Sequence, residues 1–355
     1  MRGVPGPDAF AADSIEIVHL PLWMWQIVVT GAVIVALALL APRVIRRPTT
    51  GSLRWWALGS VVVNAGIAVT GATVRVTSSG LGCSEWPRCT PESFVPVGTE
   101  HAALNAAIEF GNRMLTFLVL AVGIIVFLAT LRLRPRRRDL LVLATLIPLG
   151  VLGQGVVGGI TVWSGLHPAS VATHFLLSTF VVIGTVAYYV RCREPRGVLR
   201  LTVSPPVRRL ATALLPVGFA LLAAGTVVTG TGPHGGDAEA PRFGLDLVLV
   251  TRVHAVLAWL TVLGAVAVAA LVRKGAAPRT VRVQAWLLLA ALLAQGALGY
   301  TQYALGLPEG LVVLHVLGAM VVWIALLRLY FATAERVAPT GVEGERAATA
   351  QAAGR

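Results

Sequence analysis

The sequence has little charge, few acidic residues and few cysteines. Charged side chains make up 13% of its 355 residues, against roughly 25% in an average soluble domain, so the chain cannot cover itself with a water-compatible surface. Three cysteines are too few for a disulfide scaffold. Hydrophobic residues, by contrast, make up 56%, and the mean hydropathy is +0.78. This composition excludes a disordered or fibrous chain and predicts an integral membrane protein.

Apolar runs of about 20 residues, long enough to cross a bilayer, occur nine times. The predicted spans are residues 22–41, 55–74, 108–131, 140–160, 170–190, 210–230, 247–272, 283–303 and 310–332. The first run begins about twenty residues into the chain and lacks a clear small-residue cleavage site, which favours a retained helix over a signal peptide. The sequence therefore predicts an all-α, multi-pass membrane protein.

Basic residues fall mainly in alternate connections between the spans. Of the 29 Lys and Arg residues, 23 lie on one predicted side of the membrane, whereas the other side holds 11 of the 16 acidic residues. The positive-inside rule then places the C-terminus in the cytoplasm and, if the first helix is retained, the N-terminus outside the cell membrane. The net charge of +13 is thus a topology signal, and nucleic acid is not expected as a partner.

The last eight spans divide into two four-helix halves with matching motifs. Gly66-Ile-Ala-Val-Thr70-Gly71 corresponds to Gly225-Thr-Val-Val-Thr229-Gly230, and Gln154-Gly155-x-x-Gly158 corresponds to Gln295-Gly296-x-x-Gly299. Four spans per half is an even number, so both halves enter the membrane from the same side, as in a parallel repeat. We divide the chain into residues 1–54 (tail, extra helix and basic loop), 55–200 (half one), 201–332 (half two) and 333–355 (cytoplasmic tail).

The repeat aligns four positions on the second and fourth helices of the halves: Asn112, His174, His254 and His315. Asn112 and His174 are 62 residues apart, and His254 and His315 are 61 apart. Ionisable residues inside a bilayer are costly and usually functional, and two imidazoles at one depth can bind a haem iron from both faces. We favour this interpretation for His254 and His315. A buried histidine bonded to a backbone carbonyl is the alternative for each of them.

Other candidate residues lie near these positions. Glu109 and Arg113 are spaced i, i+4. This spacing is typical of an ion pair at the membrane interface. Alternatively, Glu109 is a carboxylate beside a reacting ligand and Arg113 binds a propionate. Arg252 is a second propionate candidate or a snorkelling side chain. Cys83 and Cys89 lie in a predicted outer loop, where their spacing allows a disulfide. Spacing alone favours a structural bridge over an exchangeable redox pair.

Together these residues resemble the haem A synthase family of bacterial and mitochondrial inner membranes. The match runs from about Trp55 to Tyr330 and rests on the order and spacing of several motifs. These are Thr70-Gly71, Ser78 to Cys83 with Trp86-Pro87-x-Cys89, Glu109 to Arg113, the two Gln-Gly-x-x-Gly motifs, His174, His254 and His315. The resemblance implies two pseudo-symmetric four-helix bundles, eight helices in all. It also implies oxidation of the C8 methyl of haem O to the formyl of haem A by successive hydroxylation and dehydration.

The resemblance also implies roles for single residues. It makes His254 and His315 the iron ligands of a haem b cofactor and places the substrate haem in half one, with Glu109 and His174 in the reaction. Further contacts with haem are expected from Asn112, Arg113 and Arg252, and the family links Cys83 and Cys89 to activity. The implied partners are haem O, delivered by haem O synthase, and membrane lipid. The electron acceptor and a homo-oligomeric state are left open.

Three features depart from the family pattern. The family often has Glu-x-x-His-Arg, and here Asn112 replaces that histidine, so a substrate haem could be held by His174 alone. The loop 231–246 has no cysteines, while some relatives carry a second pair there. The helix predicted at 22–41 is additional to the family's eight.

Two other classes of protein share some of these features. A haem b electron-transfer cytochrome, linked to a quinol, would use His254 and His315 but neither Glu109 nor the cysteines. A transporter could be built on a parallel repeat, but the chain has no Gly/Pro-broken helix pair at the bilayer midplane. We therefore predict an oxidoreductase that converts haem O to haem A.

Overall fold

The computed structural model describes residues 16–17, 20–97 and 100–338, and within these ranges nine helices are long and apolar enough to cross a membrane. They are α1 (Leu22–Arg46), α2 (Thr50–Val76), α3 (Glu100–Arg132), α4 (Arg138–Trp163), α5 (Pro168–Arg191), α6 (Pro205–Thr231), α7 (Leu247–Lys274), α8 (Arg279–Ala304) and α9 (Glu309–Ala332). The predicted all-α, multi-pass architecture is confirmed. The first 15 residues, and the predicted tail from residue 339 onward, lie outside the described residues.

Each helix is longer than the apolar run that predicted it, and side-chain caps mark the starts of α2, α5 and α7. Thr49 and Ser52 form a capping box at the start of α2, where the Ser52 amide donates to Thr49 Oγ1 at 3.0 Å and the Thr49 amide to Ser52 Oγ at 3.1 Å. Asp246 caps α7 by accepting from the Leu249 amide at 2.6 Å. These polar caps satisfy backbone groups that the helix itself leaves unpaired.

Helices α2 to α5 form one four-helix bundle, and α6 to α9 form another. Within each bundle consecutive helices pack together and the first packs against the fourth, which agrees with the two halves expected from the repeat. The bundles meet through α2, α5, α6 and α9. At this seam Trp323 of α9 donates its Nε1–H to the Thr179 carbonyl of α5 at 3.1 Å. Small and branched side chains such as Val126, Val182 and Val268 fill the core, as close helix packing in lipid requires.

The connections after α1, α3, α5 and α7 lie at one end of the bundles, which we call the basic end. Here β3 (Val198–Leu201) pairs antiparallel with β4 (Ala334–Val337), a ribbon absent from the sequence prediction. Asp139 accepts hydrogen bonds from Arg137 at 3.0 and 2.8 Å and pairs with Arg336 of β4 at 3.5 Å. The hydrogen bonds that Arg137 donates to the Asp139 carboxylate raise the pKa of Arg137. A further short ribbon, β1 (Glu16–Ile17) with β2 (Leu20–Pro21), precedes α1.

Candidate functional site

Each of the three aligned histidines lies against a glycine of the preceding helix. The pairs, with the distance from a Cβ built on the glycine to the imidazole Cε1, are Gly158 and His174 (3.5 Å), Gly225 and His254 (3.2 Å), and Gly299 and His315 (3.2 Å). These glycines belong to the motifs that define the repeat. They leave room for an imidazole ring between two closely packed helices.

In half two, His254 of α7 and His315 of α9 face each other. Their ring centroids are 6.3 Å apart and the ring planes are inclined by 60°. His254 Nδ1 lies 3.2 Å from the Leu221 carbonyl oxygen, an arrangement that leaves Nε2 for a metal. His315 Nδ1 is buried and has no hydrogen-bond partner in the described part of the chain.

The spacing of this pair fits one metal ion held between two imidazoles. Two metal–nitrogen bonds of about 2.0–2.1 Å, with each ring centre about 1 Å behind its nitrogen, separate the ring centres by about 6 Å. The observed 6.3 Å agrees with that value. The residues present therefore fit a haem, whose iron His254 and His315 would hold.

The Gln-Gly-x-x-Gly motif of α8 holds the helix that carries His315. Gln295 Nε2 donates to the His315 carbonyl oxygen at 2.7 Å. A Cβ on Gly318 would lie only 1.8 Å from Gln295 Oε1, so only glycine leaves room for the amide there. In this motif the glutamine fixes the backbone of α9, and Gly299 makes room for the ring.

Half one has a different arrangement around Asn112 of α3. Asn112 Oδ1 accepts a hydrogen bond from Thr70 Oγ1 at 2.7 Å, and its amide nitrogen lies 3.9 Å from a Cβ built on Gly71. Gly66, which the repeat aligns with Gly225, has no heavy atom within 4 Å of its Cβ position. The short asparagine has turned toward Thr70, and Gly66 stays uncovered. On α5, His174 has a buried Nδ1 with no partner among the described residues.

Glu109 and Arg113 form the predicted i, i+4 ion pair one turn from Asn112. Glu109 is 6% exposed. Its Oε2 accepts from the Cys83 amide at 2.7 Å, and its Oε1 accepts from Arg113 Nε at 3.1 Å and from Arg113 Nη2. Arg113 Nη1 also donates to the carbonyls of Glu85 and Arg88 at 2.9 and 2.8 Å. The pair thus ties the segment 83–89 to α3.

The segment 83–89 is closed by a disulfide between Cys83 and Cys89, as the spacing allowed. Both cysteines are buried. Trp86 of this segment lies on α4, where a Cβ on Gly159 would come within 2.8 Å of its indole. Trp86 also meets Trp163 edge-to-face, with ring centroids 5.6 Å apart. Gly159 is adjacent to Gly158, which lies against His174. The segment 83–89 therefore reaches from Glu109 on α3 to a position near His174.

The two arginines predicted to contact propionates differ in their surroundings. Arg252 of α7 is exposed and makes no hydrogen bond or ion pair within the described ranges. Arg113 contacts Glu109 and three backbone carbonyls, including that of Cys83 at 3.4 Å. Neither contact with a propionate is tested by the structure, and both stay predictions.

Sequence reasoning missed the docking of Trp86 on Gly159 and the contact of Gln26 of α1 with α3. The pair Gly158-Gly159 was a signal for the first, because adjacent helix glycines permit close approach on two faces. For the second, the signal was a lone glutamine in the apolar run of α1.

In the described part of the chain, nine helices long and apolar enough to cross a membrane, eight of them arranged as two similar four-helix bundles, define a polytopic membrane protein. A sequence profile of the cytochrome oxidase assembly protein family (COX15-CtaA) matches residues 54–327. The chain belongs to this family, which confirms the resemblance inferred from its motifs.

Curated relatives carry the name heme A synthase. The protein of Methylorubrum extorquens (strain PA1) is 29% identical, with 84% of this chain and 91% of the relative covered. That of Paracoccus denitrificans (strain Pd 1222) is 27% identical, with 78% and 87% covered. The protein of Methylobacterium sp. (strain 4-46) is 33% identical over 53% of this chain and 60% of its own length. An alignment with the Halalkalibacterium halodurans protein spans 43% of that relative.

Proposed function

We propose that this chain is a haem A synthase, an oxidoreductase that oxidises the C8 methyl group of haem O to the formyl group of haem A. The observation that carries the proposal is the match of residues 54–327 to a family whose curated relatives are named heme A synthase. In this proposal His254 and His315 of half two bind the cofactor, and the region around Glu109 of half one carries the reaction.

Half two is the proposed site of a haem b cofactor, with His254 and His315 as its iron ligands. The 6.3 Å separation of their rings supports this assignment. The Leu221 carbonyl orients His254, and Gly225 and Gly299 give both rings room. When bound, the haem supplies one-electron redox chemistry. Arg252 lies two residues from His254 and has its donors available for a propionate.

Half one is the proposed site of the substrate haem O, with His174 as the protein's iron ligand. The unpartnered Nδ1 of His174 and its position against Gly158 support this role. Asn112 is hydrogen-bonded to Thr70 and carries no imidazole. We therefore expect the substrate iron to have one histidine ligand, with the face toward Gly66 open.

Glu109 is the proposed catalytic carboxylate of half one. Both of its oxygens accept hydrogen bonds, from the Cys83 amide and from Arg113. A carboxylate held in this way keeps its position without reorganisation, which is the property that preorganised stabilisation of a reacting group requires. We expect Glu109 to act as a preorganised carboxylate, with Arg113 holding it and the segment 83–89 in place.

The proposed partners follow from this chemistry. Haem O is a membrane-embedded substrate, and haem O synthase would deliver it within the bilayer. The basic end is proposed to face the cytoplasm of the cell membrane, since alternate connections concentrate Lys and Arg there.

The decisive experiment is haem extraction and chromatography on the full-length protein, purified after co-expression with a source of haem O. We expect haem B together with haem A or a hydroxylated haem O. A His174→Ala variant serves as control and should retain haem B only. Haem B alone in the wild-type protein would contradict the synthase and favour an electron-transfer cytochrome. A protein without haem would contradict both.

A further inference from the structure

The additional helix α1 reaches the disulfide of half one through Trp23. Trp23 packs on a buried cluster formed by Cys83, Cys89, Ala106 and Phe110. The two cysteines are 0% and 1% exposed. An aromatic ring from outside the eight-helix repeat therefore helps to cover the disulfide.

Gln26, one turn further along α1, contacts the backbone of α3. Its Nε2 donates to the Ala107 carbonyl oxygen at 2.9 Å, and its Oε1 is buried without a hydrogen-bond partner in the described ranges. A Cβ on Gly111 would lie 2.6 Å from Gln26 Nε2, so the amide occupies space that only glycine leaves. Gly111 lies between Glu109 and Asn112 in the sequence. The contact is thus made at the turn of α3 that carries the half-one residues.

From Val28 to Leu40, α1 is almost entirely apolar. Val28, Val29 and Leu39 are 53%, 55% and 72% exposed and face away from the protein. Ala41 and Val44 are buried at the basic end, where they provide an apolar contact. A simple membrane anchor needs apolar residues only, whereas a glutamine amide in an apolar helix is costly unless it serves a contact between helices.

We infer that α1 is a positioning element of the half-one site, in which Trp23 shields the Cys83–Cys89 disulfide and Gln26 fixes α3 at Gly111. The segment 83–89 and Glu109 are joined by the hydrogen bond from the Cys83 amide. A shift of α3 or of the disulfide would move the carboxylate relative to the substrate. The inference deepens the proposed function and rests on it only for its activity measurement.

Shielding of the disulfide is tested by thiol labelling in membranes. In a Cys192→Ser background, Cys83 and Cys89 are the only cysteines. Full-length protein is exposed to a low concentration of a water-soluble phosphine reductant, and new thiols are counted by the gel shift of a maleimide–polyethylene glycol. We expect Trp23→Ala to raise the labelling rate by about tenfold or more, equivalent to about 1.4 kcal/mol. Trp23→Phe should restore most of the protection, and Leu39→Ala, on the lipid-facing side, should match the parent.

Positioning of α3 is tested by turnover. Gln26→Leu keeps the size of the side chain and removes its amide. We expect the kcat of haem A formation to fall roughly tenfold or more, as small displacements of reacting groups do, with KM little changed and the haem b spectrum unchanged. Leu39→Ala should again match the parent.

Two results would overturn the inference. One is unchanged labelling of Trp23→Ala, and the other is unchanged turnover of Gln26→Leu, each relative to Leu39→Ala. If the parent protein makes no haem A, the proposed function fails, whereas the labelling experiment still decides whether α1 shields the disulfide.

Discussion

The two halves of the repeat share a scaffold and differ at one aligned position. In half two His254 faces His315 at 6.3 Å. In half one the equivalent of His254 is Asn112, which hydrogen-bonds to Thr70 and leaves Gly66 uncovered. Under the proposed function, His254 and His315 would hold one haem from both faces, and His174 would hold another from a single face. The first arrangement suits a resident cofactor, and the second suits a substrate that must enter, react and leave.

The halves also differ at the end opposite the basic end. Half one carries the disulfide segment, the Glu109–Arg113 pair and the contacts of α1. The corresponding loop of half two has no cysteines and is held by Arg242, which donates to the carbonyls of Gly232 and Pro233 at 3.0 Å each. The two loops contact each other, because the Gly80 amide donates to the Gly236 carbonyl at 2.8 Å. The elements proposed for catalysis therefore lie in only one of the two halves.

The largest effect is expected from removing a ligand in half two. His254→Ala or His315→Ala should abolish the haem b spectrum, because each variant removes one of the two imidazoles that would hold the iron. Optical spectra of the reduced and oxidised protein, with haem quantified after extraction, measure the loss. His174→Ala is the matched control and should keep the spectrum. If His174→Ala removed it and His254→Ala did not, the assignment of the two halves would be reversed.

The next largest effect is expected on haem A formation when the Glu109 carboxylate of half one is removed. Glu109→Gln should lower haem A formation by about 10²–10³-fold, the usual cost of losing a preorganised electrostatic contact, without changing the haem b spectrum. Glu85→Gln is a control from the same segment, since only its backbone carbonyl contacts Arg113. Full activity in Glu109→Gln would show that the carboxylate serves only to hold the segment 83–89.

Much of this comparison could be predicted from the sequence, because membrane helices and repeats leave long-period signals. Apolar runs predicted all nine spans, and the spacing of Asn112, His174, His254 and His315 predicted their equivalence. The i, i+4 spacing predicted the contact of Glu109 with Arg113, since residues four apart share a helix face.

The remaining features depend on contacts between distant segments, which carry no local signal. Ribbon β3–β4 joins residues more than 130 positions apart. The direction of the Asn112 side chain depends on Thr70 of another helix. The contact between Gln26 and Gly111 requires the register of α1 on α3, and an apolar run determines that a helix spans the membrane without determining which face meets its neighbour.

The third prediction concerns a variant in which half one resembles half two. Asn112→His should place an imidazole near Gly66, where a side chain has open space, and give the substrate haem a second ligand. In protein loaded with haem O, we expect a high-spin signal in the wild type and its conversion to a low-spin, six-coordinate signal in the variant. Low-temperature electron paramagnetic resonance measures the change, and Asn112→Gln, which keeps the amide, serves as control. A wild-type substrate haem that is already fully low-spin would contradict a single histidine ligand.

The smallest effect tests whether glycine is needed beside the ligands of half two. A Cβ on Gly299 would lie 3.2 Å from His315 Cε1, whereas one on Gly296 would have no neighbour within 4 Å. Both substitutions to alanine add the same helix propensity to α8, about 1 kcal/mol, so their difference isolates the contact with the imidazole. We expect Gly299→Ala to weaken the retention of haem b by a few-fold, up to roughly tenfold, which corresponds to about 1.4 kcal/mol. The variant should also shift the absorption maximum of the haem. Gly296→Ala should behave as wild type. Gly158→Ala, at an ordinary contact distance of 3.5 Å from His174 Cε1, should leave haem b unaffected. If the two α8 variants behaved alike, Gly299 would not be needed to make room for the His315 imidazole. The difference in haem binding between the halves would then depend on the ligand residues alone.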